Sequence, residues 1–332
     1  MYSRDDEKGI KTQPYLPPPV FKSFAGGRLR FIVRSIRQGL KSKIVVLSHI
    51  DLLLPGYLVK LLSPKTKIIL IAQGIEASKP ILSRKKRMLK RIDLIIPLSD
   101  ITKERMKTLF DIPEERLRVF NNCVDPFLPA PADESRRNES RNSYGIAEND
   151  FVLMTISRFS SKEKSRIYDK VLIAVKKLHA SFRNVKYLFV GKYETDEKER
   201  IDSLIHDLGI EDDVIFTGFV PDGVLADFYN MSDVYIMPGE KEGFGFPFIN
   251  ALYYNMPVIT GKSYGVSDHP YGNSLGIMID LQSQENITST IQKVMADVKA
   301  FMPDRELVME KFGYPGYKNN WKTVIDELKV HP

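Results

Sequence analysis

The stretch that decides the fold is PGEKEGFGFPFINALYYNMPVIT, residues 238–260. It joins the end of an apolar strand, a glycine-rich loop that carries Glu242, and a helix that begins near Phe246. Gly243 and Gly245 allow the backbone to approach a ligand closely, and a helix N-terminus offers free N–H groups to an anion. A carboxylate in such a loop can accept hydrogen bonds from sugar hydroxyls. The spacing alone is equally compatible with an ordinary strand–turn–helix connection whose acidic residues are solvated.

Apolar strands alternate with helices on both sides of this stretch. In the second half, strands are predicted over 151–157, 185–191, 214–220, 234–239 and 257–261, and helices over 168–182, 197–209, 223–232, 246–255 and 314–330. In the first half, strands are predicted over 44–49, 67–74, 93–100 and 117–122, and helices over 28–41, 52–62, 84–91 and 102–111. Continuously apolar strands that alternate with helices indicate parallel sheets covered on both faces.

The chain has 332 residues, a length that favours two domains. The segment DPFLPAPADESRRNESRNSYG, residues 125–145, is rich in proline, charge and small polar residues and is the best candidate for a linker. The sequence therefore predicts an α/β protein with two Rossmann-like, doubly wound domains. The predicted segments are an N-terminal domain (1–126), a linker (127–148), a C-terminal domain (149–312) and a helix that packs back on the first domain (313–332).

Composition narrows the functional class. The single cysteine, Cys123, cannot form an internal disulfide, and no stretch of the length a spanning helix needs is uncharged and apolar, so we expect a cytoplasmic protein. Residues 1–126 carry a net charge of +13, whereas the whole chain carries +7. A basic first half suggests an anionic partner, either nucleic acid or the inner face of a membrane. No G-x-G-x-x-G follows a strand, which argues against a nicotinamide-dependent enzyme.

The segment 238–260 resembles the donor-site motif of the retaining, nucleotide-sugar-dependent GT-B glycosyltransferases of family 4. The matching residues are Glu242, Gly243, Phe244, Gly245, Ala251, Pro257 and Val258. The segment 157–178 looks like the arginine-containing loop and first helix of that family's second domain, and VFNNCVDPF (119–127) looks like its interdomain segment. The resemblance extends in the same order over most of the chain.

The resemblance implies the transfer of a hexose-type sugar, with retention, from a nucleotide-diphosphate donor that binds mainly to the second domain. It implies that Arg158, Arg166 and Lys164 hold the diphosphate. A solvated loop is the alternative interpretation of Lys162, Lys164 and Arg166. Glu242 would contact the donor sugar, with Gly243, Phe244 and Gly245 beside it, and the backbone of Gly218, Phe219 and Val220 would meet the base. It implies no metal and no cofactor, because cationic side chains and helix termini stabilise the leaving diphosphate.

Three departures from the family pattern stand out. Asn250 replaces the second glutamate, expected to accept both ribose hydroxyls, and an amide has only one oxygen for that purpose. Gln73-Gly74 replaces a His-Gly pair near the donor sugar, while His49 follows a strand where it could contact the acceptor or make a structural hydrogen bond. The first domain lacks the family's opening strands. These departures keep open an alternative, a non-catalytic or regulatory subunit that needs a partner chain.

The partner predictions follow from charge and from the family. SRKKRMLKR, residues 83–91, lies in a segment that fits either a membrane-surface helix or a core-facing helix with a solvated basic face. The basic first half and the lipid-linked acceptors of the family favour peripheral membrane contact, and no motif for nucleic acid is present. An incomplete first domain also predicts that the chain transfers sugar poorly by itself, and that it self-associates or needs a partner.

Overall fold

The computed structural model describes residues 1–3, 21–74, 81–161, 167–179, 184–236, 245–261 and 275–330. The chain divides into two compact units. Unit 1 comprises Met1–Asn121 and Lys318–Pro332, and unit 2 comprises Asn122–Tyr317. Each unit contains parallel strands connected by helices, so the predicted α/β class is confirmed.

Unit 1 contains a small parallel sheet. Its elements are β1 (Tyr2–Ser3), β2 (Lys22–Ser23), α1 (Arg28–Gly39), β3 (Ile44–Leu47), α2 (Leu53–Leu62), β4 (Lys67–Ala72), α3 (Ser83–Leu89), β5 (Leu94–Pro97) and α4 (Asp100–Phe110). Strands β3, β4 and β5 pair in that order, and β1 pairs with β2 separately. The strand predicted over 117–122 is wrong as a regular element: in the described chain, Leu117 makes a parallel bridge to Ile95 and the rest is irregular.

Both faces of the three-stranded sheet are covered. On one face, Leu70 and Ile95 lie in a cluster of buried side chains that includes residues of α2, α3 and α4. On the other face, Ile69 packs with Phe120 and Val324, and Val324 belongs to the C-terminal helix α12 (Tyr314–Val330). This alternation of neighbouring strand residues between two cores is what a doubly covered parallel strand requires.

Helix α1 ends earlier than its sequence pattern predicts. Phe31 is buried as expected, but Leu40, predicted on the same side, lies beyond the last helical residue and is 41% exposed. Gly39 ends the helix against α2: a Cβ atom there would lie 2.5 Å from Cγ2 of Val59. The close approach of the two helices at this glycine leaves Leu40 outside the core.

Unit 2 contains a larger sheet. Its elements are α5 (Glu134–Ser143), β6 (Phe151–Ile156), α6 (Ile167–Leu178), β7 (Val185–Val190), α7 (Thr195–Leu208), β8 (Val214–Gly218), α8 (Asp222–Met231), β9 (Val234–Ile236), α9 (Phe246–Tyr253), β10 (Val258–Gly261), β11 (Ile277–Ile279), α10 (Gln284–Ala296) and α11 (Arg305–Phe312). The six strands are parallel and lie in the order β11-β10-β9-β6-β7-β8. The order changes direction at β6, which pairs with both β7 and β9, so this is the switch point of the sheet.

The stretch predicted as a linker contains helix α5, which packs on unit 2. Asp133 caps the helix by accepting a hydrogen bond from the backbone N–H of Arg136 at 3.0 Å. Arg141 is 2% exposed, pairs with Asp233 at 2.8 Å, and donates to the carbonyl oxygens of Met231, Ala147, Glu148 and Asp150. A buried, fully hydrogen-bonded arginine therefore docks this helix, in place of the apolar stripe that sequence periodicity detects.

Candidate functional site

Three candidate ligand-binding residues lie at one edge of unit 2, where strands β6, β7 and β8 end. Two of them were predicted from the sequence and one was not. Arg158 follows β6, Lys192 follows β7, and Phe219 follows β8. In open parallel sheets, ligands bind at this edge and near the switch point, which here is β6. The edge is therefore the place to look for a ligand site in unit 2.

Gly191 holds the loops after β6 and β7 in close contact. Its φ of +130° lies in a region that favours glycine, and a Cβ atom would come within 2.0 Å of the Ser157 carbonyl oxygen. Its N–H donates to the carbonyl oxygen of Gly218 at 3.0 Å, while the Ser157 N–H donates to the Val190 carbonyl oxygen at 3.0 Å. The backbones of three successive strand ends therefore meet at a residue that cannot carry a side chain.

Phe219 presents a flat aromatic surface at this edge. Its side chain is 66% exposed, although it follows Gly218 directly after a strand. The ammonium group of Lys192 lies 4.7 Å from the centre of the Phe219 ring. A solvated ring beside a cation offers a stacking surface for a planar base and a positive charge for an attached phosphate. The sequence pointed to residues 218–220 for their backbone, but it did not single out Gly191 or Lys192.

Arg158 is exposed, and no carboxylate of the described residues forms an ion pair with it. The residues that follow it are anchored: Phe159 is 0% exposed, and its carbonyl oxygen accepts a hydrogen bond from the Glu194 N–H at 2.9 Å. A guanidinium group on an anchored loop is well suited to hold an anion. The other two residues predicted to hold the diphosphate, Lys164 and Arg166, lie outside the described residues.

A buried polar network fixes the beginning of α6, the helix that follows this loop. Tyr168 donates a hydrogen bond to Glu197, which is 1% exposed, and Arg200 contacts both Glu197 and Asp169, the latter at 2.8 and 3.0 Å. Burial raises the pKa of Tyr168, so its hydroxyl stays protonated as the donor, and hydrogen bonding to Glu197 raises the pKa of Arg200. The network therefore ties the first turn of α6 to α7.

Helix α9 begins at the predicted glycine-rich loop. Gly245 is its N-cap and Pro247 lies in its first turn, as is typical of helix starts. Asn250 is 8% exposed, and its Oδ1 atom accepts no hydrogen bond from any residue that the structure describes. A buried acceptor without a donor is costly, so this atom is a candidate for a ligand hydroxyl. Glu242, Gly243 and Phe244, which carry the sequence motif, lie outside the described residues.

The candidate residues of unit 1 also meet at the carboxyl edge of their sheet. Gln73 follows β4 and donates its amide to the Ser48 carbonyl oxygen at 3.0 Å, next to His49 after β3. His49 Nδ1 accepts a hydrogen bond from the Asp51 N–H at 3.1 Å, which caps a short helical turn. Gly74 has a φ of +103°. The structural role weighed for His49 is therefore present, while its ring and Gln73 still lie at the edge where a ligand would bind.

The described parts of the chain offer neither a cluster of metal ligands nor a membrane-spanning helix. Within them, no cluster of three or more His, Cys, Asp or Glu side chains could hold a metal ion. None of the described helices is long and apolar enough to cross a bilayer.

Comparison with known proteins places the chain in a family. The sequence model of the family described as "Glycosyl transferases group 1" matches residues 136–306, just over half of the chain. The chain belongs to this family. The matched range contains the edge formed by Arg158, Lys192 and Phe219 as well as the glycine-rich motif.

Curated relatives of this family member are distant. An uncharacterized glycosyltransferase of Methanocaldococcus jannaschii is 22% identical over 204 residues, which cover 61% of this chain and 51% of the relative. A protein of Mycobacterium tuberculosis, named GDP-mannose-dependent alpha-(1-6)-phosphatidylinositol monomannoside mannosyltransferase, is 26% identical over 274 residues, or 79% of this chain and 67% of the relative. The chain thus spans about half of the archaeal relative and about two thirds of the mycobacterial one.

Solved structures share the fold. The Anabaena protein HepE, crystallised with UDP, superposes with a TM-score of 0.79 at 16% sequence identity. The superposition covers 92% of this chain and 86% of the HepE chain. This likeness shows that the group 1 chain has the GT-B glycosyltransferase fold, as the sequence predicted.

Proposed function

We propose that this chain is a retaining glycosyltransferase of family 4 that transfers a hexose-type sugar from a nucleoside diphosphate donor to a polysaccharide, lipid-linked or other glycan acceptor. The observation that carries the proposal is the edge of unit 2, where an exposed Phe219 ring, the Lys192 cation and an anchored Arg158 follow three adjacent strands. The names of the relatives support the same chemistry: one is called GDP-mannose-dependent, and HepE was crystallised with UDP-glucose.

Each part of a nucleotide sugar has a proposed contact. The base stacks on Phe219, with the backbone of Gly218 and Val220 beside it. The diphosphate is held by Arg158 together with Arg166 and Lys164, and Lys192 adds a further positive charge near the base. Charge builds on the diphosphate as the sugar leaves, so fixed cations stabilise the transition state more than the bound donor. In this proposal no metal ion and no cofactor are needed.

The sugar and ribose contacts rest on the glycine-rich segment. Glu242 accepts hydrogen bonds from the donor sugar, and Gly243, Phe244 and Gly245 allow the backbone to come close. Asn250 takes the ribose position, where its buried Oδ1 atom accepts one hydroxyl. On the acceptor side, the proposed contacts are His49, Gln73 and Gly74 at the edge of unit 1.

The base contact can be tested by calorimetry with UDP and GDP, which also decides between the two donors suggested by the relatives. Replacing Phe219 by Ala should weaken binding of the preferred nucleotide by about 5- to 150-fold, the effect of about 1–3 kcal/mol of lost stacking. Tyr314→Ala removes another exposed aromatic ring, 41% exposed on α12, and should leave the affinity unchanged. Equal affinities of the two variants would exclude Phe219 from the site.

The reaction is tested by donor hydrolysis and transfer assays with Glu242→Gln. Turnover should fall by about two or more powers of ten, because a charged acceptor close to the reacting sugar is lost, while nucleotide affinity persists. Family membership and relatives named as glycosyltransferases favour an enzyme over a non-catalytic subunit. Nucleotide binding without transfer, in wild type and variant alike, would instead support the subunit.

The proposed setting is the cytoplasmic face of a membrane, where a lipid-linked acceptor is met, and the proposed partners include a second copy of the chain. The described part of unit 1 leaves one edge of β3 without a strand, beside a cavity of about 700 Å³ between α1 and α2. Open sheet edges pair readily with other chains. Light scattering beside the transfer assay tests this: an active monomer would overturn the predicted need for association.

A further inference from the structure

Helix α1 of unit 1 has two faces, and only one of them belongs to the core. Phe31 is 5% exposed and Ile36 packs on the buried cluster of the sheet. Leu29 is 78% exposed, Val33 is 44% exposed, and Leu40, just past the helix end, is 41% exposed. At 100° per residue, these three positions fall within about 40° of one another, at the border of the buried side, because Ile36 lies only about 20° from Leu29. The helix therefore presents an apolar stripe to solvent.

A line of positive charges runs beside this stripe. Arg30, Arg34, Arg37 and Lys41 are exposed, and they fall next to the apolar stripe on the helix circumference. None of the four forms an ion pair with another residue that the structure describes. Residues 21–50 contain seven lysines and arginines but no aspartate or glutamate. Among the described residues, these four cations are therefore not neutralised by an acidic partner.

The end of α2 lies beside the end of α1. The Thr66 hydroxyl donates to the Ser42 carbonyl oxygen at 3.2 Å, which places the chain after α1 beside the chain after α2. Near this junction, Leu61 is 48% exposed and Leu62 is 65% exposed. Leu40, Leu61 and Leu62 are thus three exposed apolar side chains within a few residues of this junction.

The segment 81–92, which the sequence offered as a membrane helix, is arranged differently. Met88, Leu89 and Ile92 are at most 8% exposed and pack in the core of unit 1. Its lysines are partly neutralised, since Lys85 pairs with Asp51 and Lys90 with Asp111, each at 2.7 Å. The alternative of a core-facing helix describes α3. Of its apolar side, Leu82, just before the first helical residue, is 76% exposed.

We propose that the outer face of α1 is the surface by which this chain docks on an anionic lipid bilayer. Leu29, Val33 and Leu40 enter the headgroup boundary, and the adjacent arginines and Lys41 contact lipid phosphates. An exposed apolar stripe beside unpaired cations is the composition of an interfacial helix, and each cation near an anionic surface adds to binding. The inference deepens the proposed function, on which it rests for its biological setting, because a lipid-linked acceptor is met at such a surface.

The test is sedimentation of the full chain with vesicles of phosphatidylcholine, alone or with about one third phosphatidylglycerol. The chain should bind the anionic vesicles and not the neutral ones. Leu29→Ser with Val33→Ser should reduce the bound fraction about tenfold or more, since two apolar anchors are lost. Arg30→Glu with Arg34→Glu should do the same and abolish the dependence on phosphatidylglycerol.

Matched controls lie on unit 2. Val224→Ser with Met309→Ser removes two side chains of similar exposure (45% and 42%), and Lys177→Glu with Lys299→Glu reverses two exposed charges. Both controls should bind like wild type. Equal losses in controls and α1 variants would overturn the proposal in favour of general charge attraction. Loss of self-association in the α1 variants, with no vesicle binding by wild type, would overturn it in favour of a dimer interface.

Nucleotide affinity is measured on the same samples by calorimetry. The α1 variants should retain the affinity of wild type, because their changes lie on exposed positions of unit 1. A chain that binds vesicles through α1 but binds no nucleotide would leave the docking inference standing and remove the proposed function. A chain that binds nucleotide but no vesicles would do the reverse.

Discussion

The faces of the two larger parallel sheets are covered by different kinds of segment. Unit 2 builds six parallel strands from one continuous stretch of chain, Asn122–Tyr317. Unit 1 has three main strands, and one face of its sheet is covered by the distant segment Lys318–Pro332. A parallel sheet needs both faces covered, so unit 1 depends on a segment that is far from its strands in the sequence. Unit 2 has its sheet-covering helices within its own stretch of sequence.

The two units also differ in charge and in the way each one presents its candidate residues. The first 126 residues are strongly basic, while the remainder is acidic overall. Even so, unit 2 presents exposed cations at the carboxyl edge of its sheet, namely Arg158 and Lys192. The positive charge of unit 1 is spread along α1. Net charge therefore indicates a positively charged surface. The candidate nucleotide site is indicated by the positions of individual cations at strand ends.

The largest expected difference between the stabilities of the two units is that caused by Val324→Asp. Val324 is 0% exposed and packs with Ile69 and Phe120 on the face that α12 covers. An unpaired carboxylate there should cost unit 1 about 3–5 kcal/mol of unfolding free energy. Urea unfolding with separate probes of each unit should show the shift in unit 1 and little change in unit 2. Thr323→Asp, an exposed change one residue earlier, is the control, and an equal effect would contradict the dependence on α12.

Gly191→Ala should be the corresponding destabilising substitution in unit 2. The new Cβ atom would lie 2.0 Å from the Ser157 carbonyl oxygen, so the loops after β6 and β7 must separate. We expect a loss of about 2–4 kcal/mol in stability and a large loss of nucleotide affinity. Gly145→Ala is the matched control, because its φ is also positive (+67°) but nothing lies within 4 Å. That change should cost about 1 kcal/mol and leave nucleotide binding intact.

The third prediction concerns Arg158 and Arg166, which are proposed to hold the diphosphate. Arg158→Ala and Arg166→Ala should each weaken binding of the free nucleoside diphosphate by about 1.5–3 kcal/mol, the worth of a charge-assisted hydrogen bond. Calorimetry with the diphosphate measures the loss, and Lys177→Ala on the exposed side of α6 serves as a charge-matched control. Affinities unchanged in both arginine variants would move the diphosphate elsewhere.

Much of this could be predicted from the sequence, because apolar strands and helix periodicity are local signals. The strands β3 to β10 fall where continuous apolar runs predict them, and the donor motif pointed to the correct domain type. Helix α5 was missed because its sequence, ESRRNESRNS, has no apolar stripe. It is held by Arg141 and Asp233, an ion pair between residues far apart in sequence, which no local pattern reveals.

The candidate site was predicted through motifs, and its supporting residues were not. Arg158 and Phe219 were named from their place in the family pattern, whereas Gly191 and Lys192 became visible only through a close contact and a ring distance. The segment with the densest charge, 83–91, fits a membrane-surface helix or a core-facing helix by its sequence, and Met88 and Leu89 are in the core. The exposed apolar stripe is on α1 instead, because exposure depends on which side of a helix the sheet covers.

The smallest expected effect concerns an ion cluster on the surface of unit 1. Hydrogen bonds from Lys103, then Lys107, lower the pKa of Glu114 from 4.5 to about 2. The two ammonium groups lie 2.7 and 2.9 Å from its carboxylate oxygens. Because the folded state holds the carboxylate ionised, the stabilisation is complete above the unfolded pKa and disappears as the pH falls toward 2.

Glu114→Gln should therefore lower the unfolding midpoint of unit 1 slightly at pH 7, and the difference from wild type should shrink progressively between about pH 4.5 and pH 2. High salt should reduce the difference at pH 7 as well, since the cluster is exposed to solvent. Glu115→Gln, the neighbouring exposed glutamate, is the control and should show no such pH dependence of its effect. The unit 2 transition should not respond to either change. A difference that persists unaltered at pH 2 would mean that Glu114 acts through packing and not through its charge.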